Sequence, residues 1–226
     1  MKITCIADLH GYKPVLPGGD ILLICGDITA SEKMVEWGQF FHWLKKQDYD
    51  EKILIGGNHD NFLSQCLSTE ESKLFIEDYA LQDEIPSDDF TYLCNSGINY
   101  KGLNIWGTPY TSRFEGINPL CCAFTEENDD DLKKHWDKIP LNTDILMTHS
   151  PPYSILDKTA SNKKAGSKTL LDKVKEVKPS FHVFGHIHEC CGKSHNEFGI
   201  SFYNASCVNE YYKLKKNFVS FDSLDS

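Results

Sequence analysis

"FHVFGHIHEC", residues 181–190, ends an apolar run in a glycine and then two histidines spaced by one residue. Three imidazoles, His182, His186 and His188, fall within seven residues. An apolar run without polar alternation reads as a strand buried on both faces. Imidazoles just beyond its end are poor core fillers and poor turn formers, so they need another task. The same arrangement recurs four times. "KITCIA" (2–7) leads into Asp8-Leu9-His10, and "ILLIC" (21–25) into Gly26-Asp27. "KILIG" (52–56) leads into Gly57-Asn58-His59-Asp60, and "DILMT" (144–148) into His149-Ser150-Pro151-Pro152. Ligands of open α/β sheets collect in the loops beyond the carboxyl ends of strands. Here each of these loops delivers Asp, Asn or His.

Between these strands lie helical patterns. "SEKMVEWGQFFHWLKKQ" (31–47) repeats Met34, Trp37, Phe41 and Leu44 near helical spacing, with Ser31 as its expected cap. A second helix is expected over 70–80, an acidic one in "TEENDDDLKKHW" (125–136), and one capped by Ser167 that runs to Lys178. The middle, "FTYLCNSGINYKGLNIWGTPY" (90–110), reads as short strands in a meander or hairpins. "ISFYNAS" and "FVSFD" close the chain as strands. Strands alternating with helices around a β-rich middle predict an α/β layered fold with helices outside, as one domain over residues 1–226.

Composition narrows the function. The chain has 226 residues and a formal charge of −10, which disfavours tracking extended nucleic acid or adsorbing to anionic membranes. An acidic protein can still process phosphate compounds where a bound metal supplies local positive charge. No apolar run approaches the ~20 residues of a membrane span, and "MKITCIADLHGY" does not read as a secretory signal. The nine cysteines contain no Cys-x-x-Cys. They are expected to be reduced in a cytoplasmic protein, most of them as small buried hydrophobes. Cys190 and Cys191, beside the histidines, are read the same way, with oxidation there as the alternative.

Two Asp, one Asn and several His at these strand ends make a hard-to-borderline donor set without thiolate. It suits Mn²⁺, Fe, Zn²⁺ or Mg²⁺, with Mn²⁺ the first choice. So many ligands exceed what one catalytic ion with open positions takes. They match two divalent ions about 3.5–4 Å apart around a shared carboxylate, as in phosphoester hydrolysis. The glycines at 26, 57 and 185 permit sharp exits from their strands.

In this order, Asp-x-His, Gly-Asp, Gly-Asn-His-Asp, His and Gly-His-x-His resemble the calcineurin-like metallophosphoesterase superfamily, from Asp8 to His188. "NIWGTPYT", "TDILMTHSPP", "HVFGHIHE" and "YNAS" are similar to its small metallophosphoesterase-domain, fetal-brain 239-like subfamily. The resemblance implies a two-sheet α/β sandwich with a dinuclear site. Asp8, His10 and His188 would hold one ion and Asn58, His149 and His186 the other, with Asp27 bridging. His59 would protonate the leaving group, and Asp60, the second candidate catalytic residue, would orient that loop or His59 itself. Some animal members carry Gly where this chain has His186, so the imidazole here implies a complete two-metal site. Protein phosphatases of the superfamily add an arginine and read Gly-Asn-His-Glu; "GDITAS" and "GNHD" disfavour that activity.

The function expected is a metal-dependent phosphodiesterase, a hydrolase of small diesters such as cyclic nucleotides by in-line attack of hydroxide. A nuclease or phosphomonoesterase with the same site is the alternative, and a non-catalytic scaffold a further one. Asn58, His59 and His195, the last in the loop "GKSHNEFG", are candidate substrate contacts. His42, His135 and His182 read as structural, and Trp37 and Trp43 as core. The basic loop over 157–168 reads as solvated, the alternative being a phosphate-facing lid through Lys163, Lys164 or Lys168. Oligomeric state is open, since exposed strand edges would also allow a dimer.

Overall fold

The uninterrupted apolar runs become strands covered on both faces. The computed structural model describes residues 1–65, 89–113, 121–195, 198–215 and 218–223. In one sheet, β1 (Lys2–Ile6), β2 (Gly19–Cys25), β3 (Tyr49–Ile55) and the two-residue β4 (Thr91–Tyr92) run parallel. In the second sheet, β6 (Leu103–Thr108), β9 (Ile145–Thr148), β10 (Phe181–Phe184) and β12 (Ser201–Asn204) run parallel. Antiparallel strands close three of the four edges: β13 (Val219–Asp222) on β1, β5 (Ser96–Tyr100) on β6 and β11 (Gly192–His195) on β12. A small ladder joins β7 (Thr111–Ser112) to β8 (Thr125–Glu126).

Alternate residues of each strand serve different layers. Ile3, Cys5, Ile21, Leu23, Ile53 and Ile55 face Ile145, Met147, Phe181 and Val183 between the sheets. Leu22, Ile24 and Leu54 face outward onto Trp37, Phe40, Phe41 and Leu44 of α1 (Met34–Lys45). On the opposite side, Leu146, Phe184 and Phe202 pack on α3 (Asp129–Trp136) and α4 (Lys168–Val177). The short α2 (Asn61–Ser64) follows the third strand-end loop. Because the central parallel strands meet apolar neighbours on both faces, their sequences show little polar alternation. The result is the expected two-sheet α/β sandwich with helices outside.

Some local expectations change. Ser31 does not cap α1; the helix starts after Lys33, and the Glu36 carboxylate reaches back to accept the Ser31 and Lys33 N–H groups at 2.9 and 3.4 Å. Ser167 does cap α4, accepting the Leu170 N–H at 2.9 Å. The helix expected over 70–80 lies outside the described residues. The β-rich middle is shared between the sheets, with β4 joining one and the β5–β6 hairpin the other.

The two sheets are stitched together at one end. The Ala7 N–H donates to the Ala205 carbonyl at 2.8 Å, and the Cys207 N–H to the Ala7 carbonyl at 2.9 Å. These bonds bring the carboxyl ends of β1 and β12 side by side. The loops after β1, β2, β3, β9 and β10 then open at a common rim.

Candidate metal centre

Each strand-end loop aims its polar side chain by a local device. Asp8, His10, Asp27 and His186 all take positive φ, at 54°, 41°, 54° and 70°. Such conformations strain residues with a Cβ, and they cluster where function holds them. Gly185 makes room for one of them: a Cβ there would sit 2.5 Å from Asp8 Oδ2 and from the Ala7 Cβ. The His186 N–H donates to both Asp8 oxygens, at 3.1 and 2.9 Å.

Seven histidine and aspartate side chains meet here in three overlapping groups: Asp8, His10 and His188; His10, Asp27 and His59; Asp27, His149 and His186. Within each group one ligand atom per residue lies within 4.8 Å of the others. Asp27 belongs to two groups and lies between the outer ones. Asn58 Oδ1 lies 3.0 Å from His149 Nε2, so it joins the third group. His149 Nδ1–H donates to the Cys25 carbonyl at 2.9 Å, which turns Nε2 toward Asp27 Oδ1 at 3.4 Å. His10 Nε2 and His188 Nε2 are only 3.3 Å apart. All seven expected ligands therefore converge.

The electrostatics favour a cation at this place. Burial opposes a charge on His149, yet the Asp27 and Asp8 carboxylates raise it to about 9. Burial likewise opposes charge on His188, and Asp8 raises it. Burial keeps His10 and His186 neutral, near 4 and 3. Burial favours the neutral acid of Asp8, but His188 and His149 hold it at about 2. Two buried carboxylates thus draw protons onto facing imidazoles, where divalent ions would sit. The Asp, Asn and His donors fit borderline or hard ions.

Asp60 is buried and faces backbone. Its oxygens accept the N–H groups of Asp27, Ile28 and Gly57 at 2.9, 3.0 and 2.8 Å. Burial and the charge of Asp27 push it up to about 8 against the pull of those N–H groups. Asp60 accordingly holds two strand-end loops together and does not line the cleft. His59 does line it, with its N–H on Asp27 Oδ1 at 2.9 Å and its ring edge-on to His10.

A cleft of about 380 Å³ opens above the cluster. Beyond Asp27, Asn58, His59, His186 and His188 it is lined by Cys121, Thr159, Ala160, Ser161, Ile187, Glu189, Glu210 and Tyr212. The Tyr212 ring lies 4.8 Å from that of His10 and 5.0 Å from that of His188. The loop after His149 reaches the cleft through Thr159 to Ser161, and Glu189 Oε1 pins it by accepting the Ala160 N–H at 2.6 Å. None of its lysines is among the residues lining the cleft; Lys164 bonds Ser154 and, with Lys168, lies over Tyr153. His195 pairs with Ser201 at the amino end of β12, so the register places its backbone away from the cluster.

The histidines read as structural sit apart from the cluster. His42 is exposed, His135 bridges Asn95 and Glu126, and the buried His182 bonds Thr148 Oγ1 at 2.9 Å. The expectation that most cysteines are buried fails among the described residues. Cys5, Cys25 and Cys207 are buried, whereas Cys94, Cys121, Cys190 and Cys191 are partly exposed and Cys122 is exposed. These five lie outside the strands of the two sheets, where cover over the side chain is incomplete.

The family model for calcineurin-like phosphoesterases matches residues 1–190, which include every residue of the cluster. The chain belongs to the calcineurin-like phosphoesterase family. It is 32% identical over 206 residues to human metallophosphoesterase domain-containing protein 1, covering 84% of this chain and 61% of that protein. With UPF0046 protein T07D4.2 of Caenorhabditis elegans it shares 32% identity over 243 residues, covering 98% of this chain and 60% of the relative. The chain thus spans about three fifths of the length of these relatives. One solved structure, 13% identical, superposes with a TM-score of 0.66 over 91% of this chain and 90% of its own. A dimetal phosphatase from Danio rerio, 12% identical, superposes with a TM-score of 0.50 over 97% of this chain and 91% of its own. Among the described residues no helix is long and apolar enough to cross a membrane.

Proposed function

We propose that this calcineurin-like phosphoesterase is a two-metal phosphodiesterase acting on small diesters, with cyclic nucleotides the leading candidates. The observation that carries the reading is the convergence of five strand-end loops on one cluster beneath a cleft. Asp8, His10 and His188 would hold one ion and Asn58, His149 and His186 the other, with Asp27 serving both. When bound, the ions supply Lewis acidity that lowers the pKa of water and offsets phosphate charge. Mn²⁺ is the favoured metal.

The chain's own side chains do the rest. His59, uncommitted to the ligand set in this reading, holds the proton for the departing oxygen. Asp60 keeps the loops bearing Asp27 and His59 in register. The cleft wall favours diesters over monoesters, because among its described residues are two glutamates and no Lys or Arg. A monoester dianion would bring a second negative charge that nothing on this wall offsets.

The deciding experiment strips the protein with chelator, restores Mn²⁺, and compares bis-p-nitrophenyl phosphate with p-nitrophenyl phosphate. Metal-dependent diester cleavage, lost in Asp27→Ala, supports the reading and leads to a cyclic-nucleotide panel. Monoester-only turnover would replace it with a phosphomonoesterase. Two bound ions without turnover on either ester would overturn the enzyme reading.

A further inference from the structure

The His59 ring is held from behind by a sulfur. Cys121 Sγ lies 3.2 Å from His59 Nδ1, and both residues line the cleft. The segment bearing the thiol is tied to the loop bearing the imidazole. The Ala123 N–H donates to the Asn58 carbonyl at 3.2 Å, and Cys122 Sγ reaches Asn61 Oδ1 at 3.6 Å. The other ring nitrogen, Nε2, faces the cluster, 4.0 Å from Asp27 Oδ2. The nearest acid in sequence, Asp60, is turned onto three backbone N–H groups, and Nδ1 meets the sulfur instead.

We propose that Cys121 is a positioning residue for His59, fixing the ring through Nδ1 so that Nε2 delivers its proton to the leaving oxygen. The inference rests on the phosphodiesterase reading above and adds a selectivity to it, for esters of weakly acidic alcohols. A thiol both donates and accepts weakly. With the ring protonated, Nδ1–H donates to the sulfur. As a water-derived oxygen bonds to phosphorus, the ester P–O bond breaks and the leaving oxygen takes the Nε2 proton. The ring ends neutral with Nδ1–H still on the sulfur, and no proton passes to the cysteine. Burial, then the charge of Asp27, pushes the thiol up to about 11, which keeps the sulfur a neutral partner. It orients the ring without holding the proton as a carboxylate would.

The test uses Mn²⁺-loaded protein and methyl aryl phosphates whose leaving groups run from p-nitrophenol to phenol. A positioned acid contributes about 10²–10⁴-fold, and only where the leaving oxygen needs a proton. In Cys121→Ala the ratio of kcat for the p-nitrophenyl ester to kcat for the phenyl ester should rise about tenfold, a fraction of that contribution. Cys121→Ser, whose hydroxyl can also accept Nδ1–H, should return the ratio most of the way. His59→Ala should raise it further. A second readout needs no turnover: in the metal-free protein the His59 Nδ1 ¹⁵N shift should move in Cys121→Ala and recover in Cys121→Ser. A wild type that cleaves no diester would overturn the phosphodiesterase reading and this role with it. Diester cleavage with the same leaving-group dependence in wild type and Cys121→Ala, or an equal loss for every leaving group, would overturn this inference alone.

Discussion

Both oxygens of Asp8 accept the main-chain N–H of His186, 178 residues further along the chain. One carboxylate therefore supplies a candidate ligand and fixes the backbone from which another departs. Asp8→Asn keeps an acceptor for that N–H but loses the charge. It should remain folded while its Mn²⁺ content, measured by elemental analysis, falls from two ions per chain to one. Asp8→Ala removes both acceptor oxygens as well, and urea unfolding of the metal-free protein should show a further loss of about 1–3 kcal/mol.

Gly185 stands where a side chain would press on that same carboxylate. Gly185→Ala should shift Asp8, costing about 1–3 kcal/mol of stability through overpacking. The Mn²⁺ dissociation constant should rise about tenfold or more. Isothermal titration calorimetry measures the second effect, and a dissociation constant equal to wild type would show that the backbone yields instead.

Asp60 anchors three buried N–H groups at once. Its replacement by Ala strands them all, at about 1–3 kcal/mol each before relaxation. Thermal unfolding of Asp60→Ala should begin well below that of the wild type. His59→Ala, by contrast, should unfold within a few degrees of wild type while losing turnover of esters with poor leaving groups.

Burial lowers His182 to about 3, which sets the sign of a pH effect. The unfolded chain binds that proton near the ordinary histidine value of ~6.5, and the folded chain only far below it. The contribution of His182 to stability should therefore be constant above ~6.5 and fall by about 1.4 kcal/mol per pH unit as pH drops toward 3. Urea denaturation of metal-free protein at two pH values reads the slope. In His182→Leu the slope should be smaller by the share of one proton.

Much of this was legible in sequence because of how the strands are buried. Ile3, Cys5, Leu22 and Ile24 are apolar whichever layer they face, so each strand ends visibly where polarity begins. Asp8, Asp27, Asn58, His149 and His186 stand at those ends. The far wall of the cleft had no such mark. Cys121 and Tyr212 come from irregular chain, with Tyr212 at a φ of 56°, and no periodicity announces which way such residues turn. The adjacent Cys121 and Cys122 were visible as a pair, but the contact with His59 depends on the Ala123 bond to the Asn58 carbonyl, a tertiary fact. The α1 cap was misplaced for a similar reason, since Glu36 reaches back past Lys33 to Ser31.

The stitch between Ala7 and residues 205 and 207 also bears on how the protein is made. During synthesis Asp8, His10 and Asp27 emerge long before His186 and His188, and before the partner backbone that brings the sheets together. A nascent chain therefore lacks one histidine of each ligand set until the loop after β10 is made. The carboxylates meet backbone N–H groups and protonated imidazoles first, which act as placeholders while the sandwich closes. Ions bound there would displace those protons, and the full ligand set they need would exist only once the sandwich has closed.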